Sequence, residues 1–377
     1  MPATPSPVPD PHFWAGRRVL ITGHTGFKGA WLSLWLSELG ADVVGFARGV
    51  PTAPSLHALA ELGELVDHRE GDVRDADALL RAVRDTRPDA LFHLAAQPMV
   101  RRSFADPVGT YATNVMGTVH ALEAARQGGV RSVVVVTTDK CYDNREWPWG
   151  YREPESLGGH DPYSSSKACA ELVAKAYRAS FFTAAESDPS TPRVATARAG
   201  NVIGGGDWGG ERLLPDLFRA ALDGAPLRIR NPDAVRPWQH VLNPLAGYLL
   251  LAERLWHDAA HAKAYNLGPA DEDARPVRWI VERLTELWDA PLGWDVDPGP
   301  HPHEAHWLKL DSSLARAELG WRPLWDLDAG LRQTAEWFRA FRDGADARTT
   351  TLEQIRDYAA AAHRSDAVQA VSPTLEG

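Results

Sequence analysis

Two short stretches of this chain carry residues whose types and spacing can do chemistry: Thr138-Asp139-Lys140, and Tyr163 with Lys167 in Tyr163-Ser164-Ser165-Ser166-Lys167. The run that follows, with Ala168, Ala170, Glu171, Leu172, Val173 and Ala174, reads as helix, and a spacing of four puts phenol and ammonium on one face. A lysine charge beside a phenol favours the phenolate, so Tyr163 is expected to have a lowered pKa and to take a hydroxyl proton while hydride leaves the same carbon. That is alcohol oxidation. Asp139 and Lys140 add an acid and a base that plain oxidation does not need. Alone, a Tyr-x-x-x-Lys pair is a common coincidence and an Asp-Lys pair is usually solvated. In the order found here, after a glycine loop and at the end of an apolar strand, they form a constellation.

The elements that position these groups alternate. Apolar runs at 18–22, 43–46, 90–94, 132–137 and 194–198 read as buried strands, with helical patterns at 31–39 and 75–83 between them. This predicts an α/β fold: a Rossmann-type doubly wound parallel sheet with a smaller, mainly C-terminal, substrate-binding lobe. Thr138, Asp139 and Lys140 then sit at the carboxyl end of a strand, where open sheets of this kind bind ligands. The expected layout is a disordered proline-rich extension over 1–12 and a dinucleotide-binding domain over 13–200, to which later segments return. A lobe follows over 201–345, where the alternation breaks up after Gly204-Gly205-Gly206, and then a helix and tail over 346–377.

Directly after the first strand comes Gly23-His24-Thr25-Gly26-Phe27-Lys28-Gly29. In that context Gly23 permits the tight turn, Gly26 lets a pyrophosphate approach the backbone and Gly29 lets helix and strand pack closely, with the diphosphate at the helix amino terminus. His24 places a ring where such loops usually have a small residue, and is expected to crowd the phosphate. The second strand ends in Phe46-Ala47-Arg48, without an acid for a ribose diol, so spacing leaves NAD and NADP open. Asp72 stands where a third strand presents it to the adenine.

Composition bounds the rest. With 40 basic against 50 acidic residues, the net charge of −10 and the lack of a basic stripe argue against nucleic acid as a partner. No run is long enough to cross a bilayer and no signal-peptide pattern opens the chain, so no membrane association and a cytoplasmic setting are expected. The two cysteines, Cys141 and Cys169, read as packed small hydrophobes rather than a nucleophile or a disulfide. His301, His303 and His306 lack a cysteine or paired acid to complete a metal site, and their prolines suggest a loop over the substrate.

The chain resembles the extended short-chain dehydrogenases/reductases of the NAD-dependent epimerase/dehydratase superfamily, and within them the 4,6-dehydratases of CDP-glucose. The matching stretches are the glycine loop; His93-Leu94-Ala95-Ala96-Gln97-Pro98; Thr113-Asn114-Val115-Met116-Gly117-Thr118; Asp139-Lys140-Cys141-Tyr142-Asp143-Asn144; 198–208; Arg230-Asn231-Pro232; Arg236-Pro237-Trp238-Gln239-His240-Val241; and 301–306. The resemblance implies NAD as cofactor, CDP-glucose as substrate and CDP-4-dehydro-6-deoxyglucose as product. It places NAD against Gly23, His24, Thr25, Gly26, Phe27, Lys28 and Gly29, against Arg48, Asp72 and Val73, against Leu94, Ala95, Ala96, Gln97 and Asn114, and beside Tyr163 and Lys167. It places the sugar nucleotide against Gln97, Arg102, Asn201, Arg212, Arg236, Trp238 and His301. Thr138 would bond the 4-oxygen, Asp139 protonate the leaving 6-hydroxyl and Lys140 take the C5 proton, where dTDP-type dehydratases commonly have a glutamate.

Two other readings compete. A 4-epimerase shares the redox half but has no need of Asp139 and Lys140 aimed at C5 and C6. A non-catalytic NAD-binding scaffold would usually have lost Tyr163 or Lys167. The family also implies a homodimer or homotetramer, pairing helices around 108–125 and 163–177 through Leu172, Val173 and Ala176.

Overall fold

The structure, a computed structural model, describes residues 6–183, 188, 191–289, 293–297, 299 and 306–371. A seven-stranded, all-parallel sheet forms the centre. Its strands are β1 (Arg18–Thr22), β2 (Asp42–Ala47), β3 (Asp67–Glu70), β4 (Ala90–His93), β5 (Ser132–Val136), β6 (Arg193–Arg198) and β7 (Ala264–Asn266), in the order β7-β6-β5-β4-β1-β2-β3. Both faces are covered over the middle of the sheet, so β1, β2, β4 and β5 are near-continuous apolar runs rather than alternating ones, whereas edge strand β3 is polar and exposed. Val19 and Ile21 of β1 face one core and Leu20 the other.

On the first face lie α1 (Phe27–Glu38) and α5 (Leu242–His257), buried along most of their length, with Trp31, Trp35, Leu245 and Leu249 in the core. On the second lie α2 (Ala76–Thr86), α3 (Gly117–Gly128) and α4 (Pro162–Phe181), which contribute Leu79, Val83, Leu122 and Ala174. Strand order reverses between β1 and β4, and the crevice at the carboxyl ends there is the ligand position of this architecture. Helices α2 and α4 start where the sequence supplies a cap. Asp75 accepts from Ala78 N ahead of α2, and Asp161 accepts from Ser164 N ahead of α4, whose first residue is Pro162.

The lobe is assembled from short paired pieces. Leu227–Ile229 runs parallel to Trp294–Val296, Val235–Pro237 antiparallel to Ala274–Pro276, and Val202–Ile203 parallel to Gln239–His240. Helices α6 (Leu327–Arg342) and α7 (Ala347–Val371) close the chain. Helix α7 docks on α1 through Tyr358, whose ring meets Trp35 edge-on at 5.7 Å and whose hydroxyl donates to Asn243.

Two features depart from the sequence expectations. Strand β7 was not expected, because three residues carry too little periodicity to stand out. The extension expected to be disordered over 1–12 is ordered over its described part: Val8 is buried, Asp10 caps the short helix Pro11–Trp14, and Trp14 is buried with its indole donating to Glu253 at 2.7 Å. A tryptophan with a buried acceptor anchors the proline-rich segment that composition alone reads as loose.

Candidate active site

Strand β5 ends at Val136, and Thr138 opens a single 3-10 turn, Asp139–Cys141, by accepting from Lys140 N at 3.3 Å. The turn is pinned to β6, since Asp139 N donates to Ala199 O at 3.2 Å. It faces a cleft of about 1550 Å³ that the glycine loop, the β4 exit, the start of α4 and the lobe segments all line. Thr138, Asp139, Lys140, Tyr163 and Lys167 meet in this cleft.

Their electrostatics follow from burial. Asp139 has one carboxylate oxygen accepting from Thr138 at 2.8 Å, and the other, Oδ2, is buried without a partner among the described residues. Burial raises its pKa against the opposing pull of Lys140, Thr138, Arg236 and Lys28, which favours a protonated, donating carboxyl. Room beside Oδ2 exists because residue 200 is glycine: a Cβ there would lie 3.0 Å from it. Tyr163 is buried and pushed up to about 12, with Thr138 hydrogen bonding and Arg212 pulling the other way. The expected lowering by Lys167 is therefore not what the resting protein has. The Lys167 ammonium donates to Val136 O at 3.1 Å, and burial pushes it down to about 8.

Under the site lies a buried ion pair that sequence reading passed over. Glu171, one turn beyond Lys167, accepts from Arg198 at 2.8 Å, from Thr196 at 2.7 Å and from Thr137, while Arg198 donates to Tyr142 OH at 2.7 Å. It ties α4 to the ends of β5 and β6 and to the turn that carries Asp139. The i, i+4 repeat Tyr163, Lys167, Glu171 was the available signal.

The glycine loop fits a dinucleotide. Gly23, at φ +77°, could not carry a side chain, since a Cβ would sit 2.8 Å from Ala95 N, and a Cβ on Gly29 would run into the Gly23 carbonyl. Gly26 differs, because a Cβ there would meet only Gly23 O, at 3.4 Å, so the protein's own packing does not demand a glycine. It borders the cleft as the N-cap of the twelve-residue α1 and provides no capping side chain, which leaves helix N–H groups for an anion. Thr25, Phe27, Lys28, Arg48, Asp72, Val73, Leu94, Ala95, Ala96 and Gln97 border the same cleft. Arg74 and Arg48 bond Asp72 and hold its carboxyl below the usual range.

Some expected residues are placed otherwise. His24 does not border the cleft: its ring is buried, fills the space left by the missing side chain of Gly45, and its Nε2 shares a 2.9 Å hydrogen bond with His68 Nδ1. The expected crowding of the phosphate is thus wrong, because the ring turns under β2 instead of into the loop. Asn114, in a π-helical turn over Ala112–Met116, is buried away from the cleft; it brackets the Gln97 backbone and donates to Ser166 of α4 at 2.9 Å. The Gln97 amide is engaged with Met99 and Thr110. Arg102 borders the cleft from the short helix Val100–Ala105 after β4, and Asn201, Arg212, Arg236 and Trp238 from the lobe side, with Arg212 paired to Asp207 at 3.1 Å and the Trp238 indole donating to Arg275 O. His301 lies outside the described residues.

The chain belongs to the NAD dependent epimerase/dehydratase family, whose sequence profile matches residues 19–268. It is 50% identical over 357 residues to the CDP-glucose 4,6-dehydratase of Salmonella typhimurium, covering 94% of this chain and 99% of the relative. A dTDP-glucose 4,6-dehydratase of Mycolicibacterium smegmatis is 29% identical, over 86% of this chain and 93% of its own length. Among solved structures, DesIV, a dTDP-glucose 4,6-dehydratase from Streptomyces venezuelae with NAD bound, superposes with a TM-score of 0.71. It is 27% identical, with 88% of this chain and 99% of DesIV covered.

Proposed function

We propose that this protein is a nucleotide-sugar 4,6-dehydratase that converts CDP-glucose to CDP-4-dehydro-6-deoxyglucose and water. The observation that carries the reading is one cleft holding both a redox pair, Tyr163 and Lys167, and an elimination pair, Asp139 and Lys140. An epimerase would use only the first pair. The nucleobase rests on the 50% identical relative.

When bound, the nicotinamide supplies a hydride acceptor at C4 and later a donor at C6, and its positive charge favours the Tyr163 phenolate. Tyr163 removes the 4-hydroxyl proton while Thr138 bonds the same oxygen. The C4 ketone acidifies C5, Lys140 accepts that proton, and Asp139 protonates the departing 6-hydroxyl. Backbone N–H groups of α1 and the glycine loop would hold the dinucleotide phosphates, and Arg212, Arg236 and Asn201 the sugar diphosphate. The expected product carries a keto group and has lost one water, with no net change in the cofactor.

Incubation with NAD and each of CDP-, UDP-, dTDP- and GDP-glucose, followed by mass spectrometry, tests the substrate. Single-turnover absorbance tests the roles. Lys140→Ala should still reduce bound NAD but lose solvent deuterium entry at C5, and Tyr163→Phe should show neither signal, each change costing about a hundred- to ten-thousand-fold in turnover. Near-normal turnover of Lys140→Ala with deuterium still entering C5 would assign the base elsewhere.

A further inference from the structure

Lys28 belongs by sequence to the glycine loop, yet its side chain reaches past the phosphate cradle. It is the second residue of α1, it borders the cleft, and its ammonium donates to the Tyr248 hydroxyl at 3.4 Å from a position 6.0 Å off that ring's centroid. Tyr248 lies on α5, fully buried, and within electrostatic reach of Tyr163. Around the Lys28 ammonium stand Arg212 and Asp207 from the lobe, Lys167 from α4 and Asp139 from the β5 exit. It therefore sits among the groups that flank the reacting carbon, and no carboxylate hydrogen bonds it among the described residues.

Alcohol oxidation by Tyr163 requires the hydride acceptor to lie beside the same carbon. An oxidised nicotinamide ring is a cation and a reduced one is neutral, so a fixed ammonium nearby discriminates between them by charge alone. On the reading of the cleft as an NAD-dependent oxidation site, we propose that Lys28 is a specificity-determining residue for the redox state of the nucleotide. Held on the Tyr248 hydroxyl within electrostatic reach of Lys167 and Asp139, it weakens binding of the oxidised form relative to the reduced form and so favours hydride transfer from the substrate. Lys28 exchanges no proton or electron in this role. Burial and the neighbouring cations push it down to about 8, so the effect fades as pH rises through that value.

The test is a binding measurement and needs no turnover, so it is independent of whether CDP-glucose is the substrate. NAD+ and NADH are titrated into the wild type, Lys28→Met and Lys28→Arg at pH 6.5 and 9.5, by calorimetry and nucleotide fluorescence. The ratio of the NAD+ to the NADH dissociation constant is expected to fall about tenfold in Lys28→Met at pH 6.5 and to be retained in Lys28→Arg. In the wild type the same ratio should drop between the two pH values, and it should drop less in Lys28→Met, where the Lys28 charge no longer contributes to the change. Equal weakening of both nucleotides in Lys28→Met would make Lys28 a phosphate ligand and overturn the proposal. So would an unchanged ratio accompanied by a raised KM for the sugar nucleotide. If Lys28→Met does not fold, a wild-type ratio that stays flat from pH 6.5 to 9.5 overturns it equally.

Discussion

Replacing Glu253 by glutamine should remove a pH dependence of stability that the wild type has between pH 5 and 8. Glu253, on α5, accepts from Asp10 N at 3.0 Å and from the Trp14 indole at 2.7 Å, and its residue is only 7% exposed. Burial pushes its carboxyl up to about 7 from 4.5, the two hydrogen bonds opposing the shift. A folded-state pKa above the unfolded one means that the folded protein binds the extra proton. The stability this contributes is complete below pH 4.5 and is lost as pH rises through 7. Each pKa unit is worth 1.36 kcal/mol, so the shift corresponds to roughly 3 kcal/mol. At about 2 °C per kcal/mol for a chain of this size, wild-type Tm should fall by roughly 5 °C more than that of Glu253→Gln between pH 5 and 8. The assay is thermal unfolding of both proteins in matched buffers at constant ionic strength, where the other titrating groups cancel in the difference. Parallel Tm curves for the two proteins would refute the reasoning and leave the proline-rich segment held by apolar contacts of Trp14 alone.

Two further outcomes follow from particular residues. Gly45→Ala should lower stability by about 1–3 kcal/mol in chemical denaturation, because the new methyl meets the buried His24 ring, and a neutral result would mean that His24 has somewhere else to go. Self-association should appear in light scattering at micromolar concentration and weaken in Leu172→Glu, since Leu172, Phe181 and Val108 are large apolar side chains exposed at 52%, 54% and 78%; a monomer mass for the wild type would reject it.

Much of this architecture was legible from residue order, for a physical reason in each case. Strands β1, β4 and β5 are buried on both faces and so announce themselves as unbroken apolar runs, and α2 carries a clear apolar stripe. The Tyr-x-x-x-Lys pair could be placed because helix geometry fixes side chains four residues apart. What stayed hidden depended on neighbours distant in sequence. The direction of the His24 ring is set by Gly45, twenty-one positions away, and by His68. Asn114 is assigned to the cofactor by resemblance alone, and it is buried away from the cleft. Its amide is instead consumed by the Gln97 backbone and Ser166, which no local pattern reveals. The shift of Tyr163 went the other way from expectation for a related reason: spacing reports which groups share a face, whereas burial, which dominates here, is a property of the closed fold.

Strand β7 has a consequence for the order in which this protein can be made. Edge strand β6 is complete at Arg198, but its outer partner is not synthesised until Ala264–Asn266. Through the intervening 65 residues the growing chain exposes the unpaired row of backbone groups along β6. Most of the lobe's paired pieces and all of α5, which covers that face of the sheet, emerge during the same interval. The sheet therefore cannot close until the first part of the lobe, with its Val202–Ile203 and Gln239–His240 pair, has been made. A fragment ending near residue 200 would retain the glycine loop, Asp139 and Tyr163 in sequence and still present a sticky open edge in place of a stable dinucleotide-binding domain.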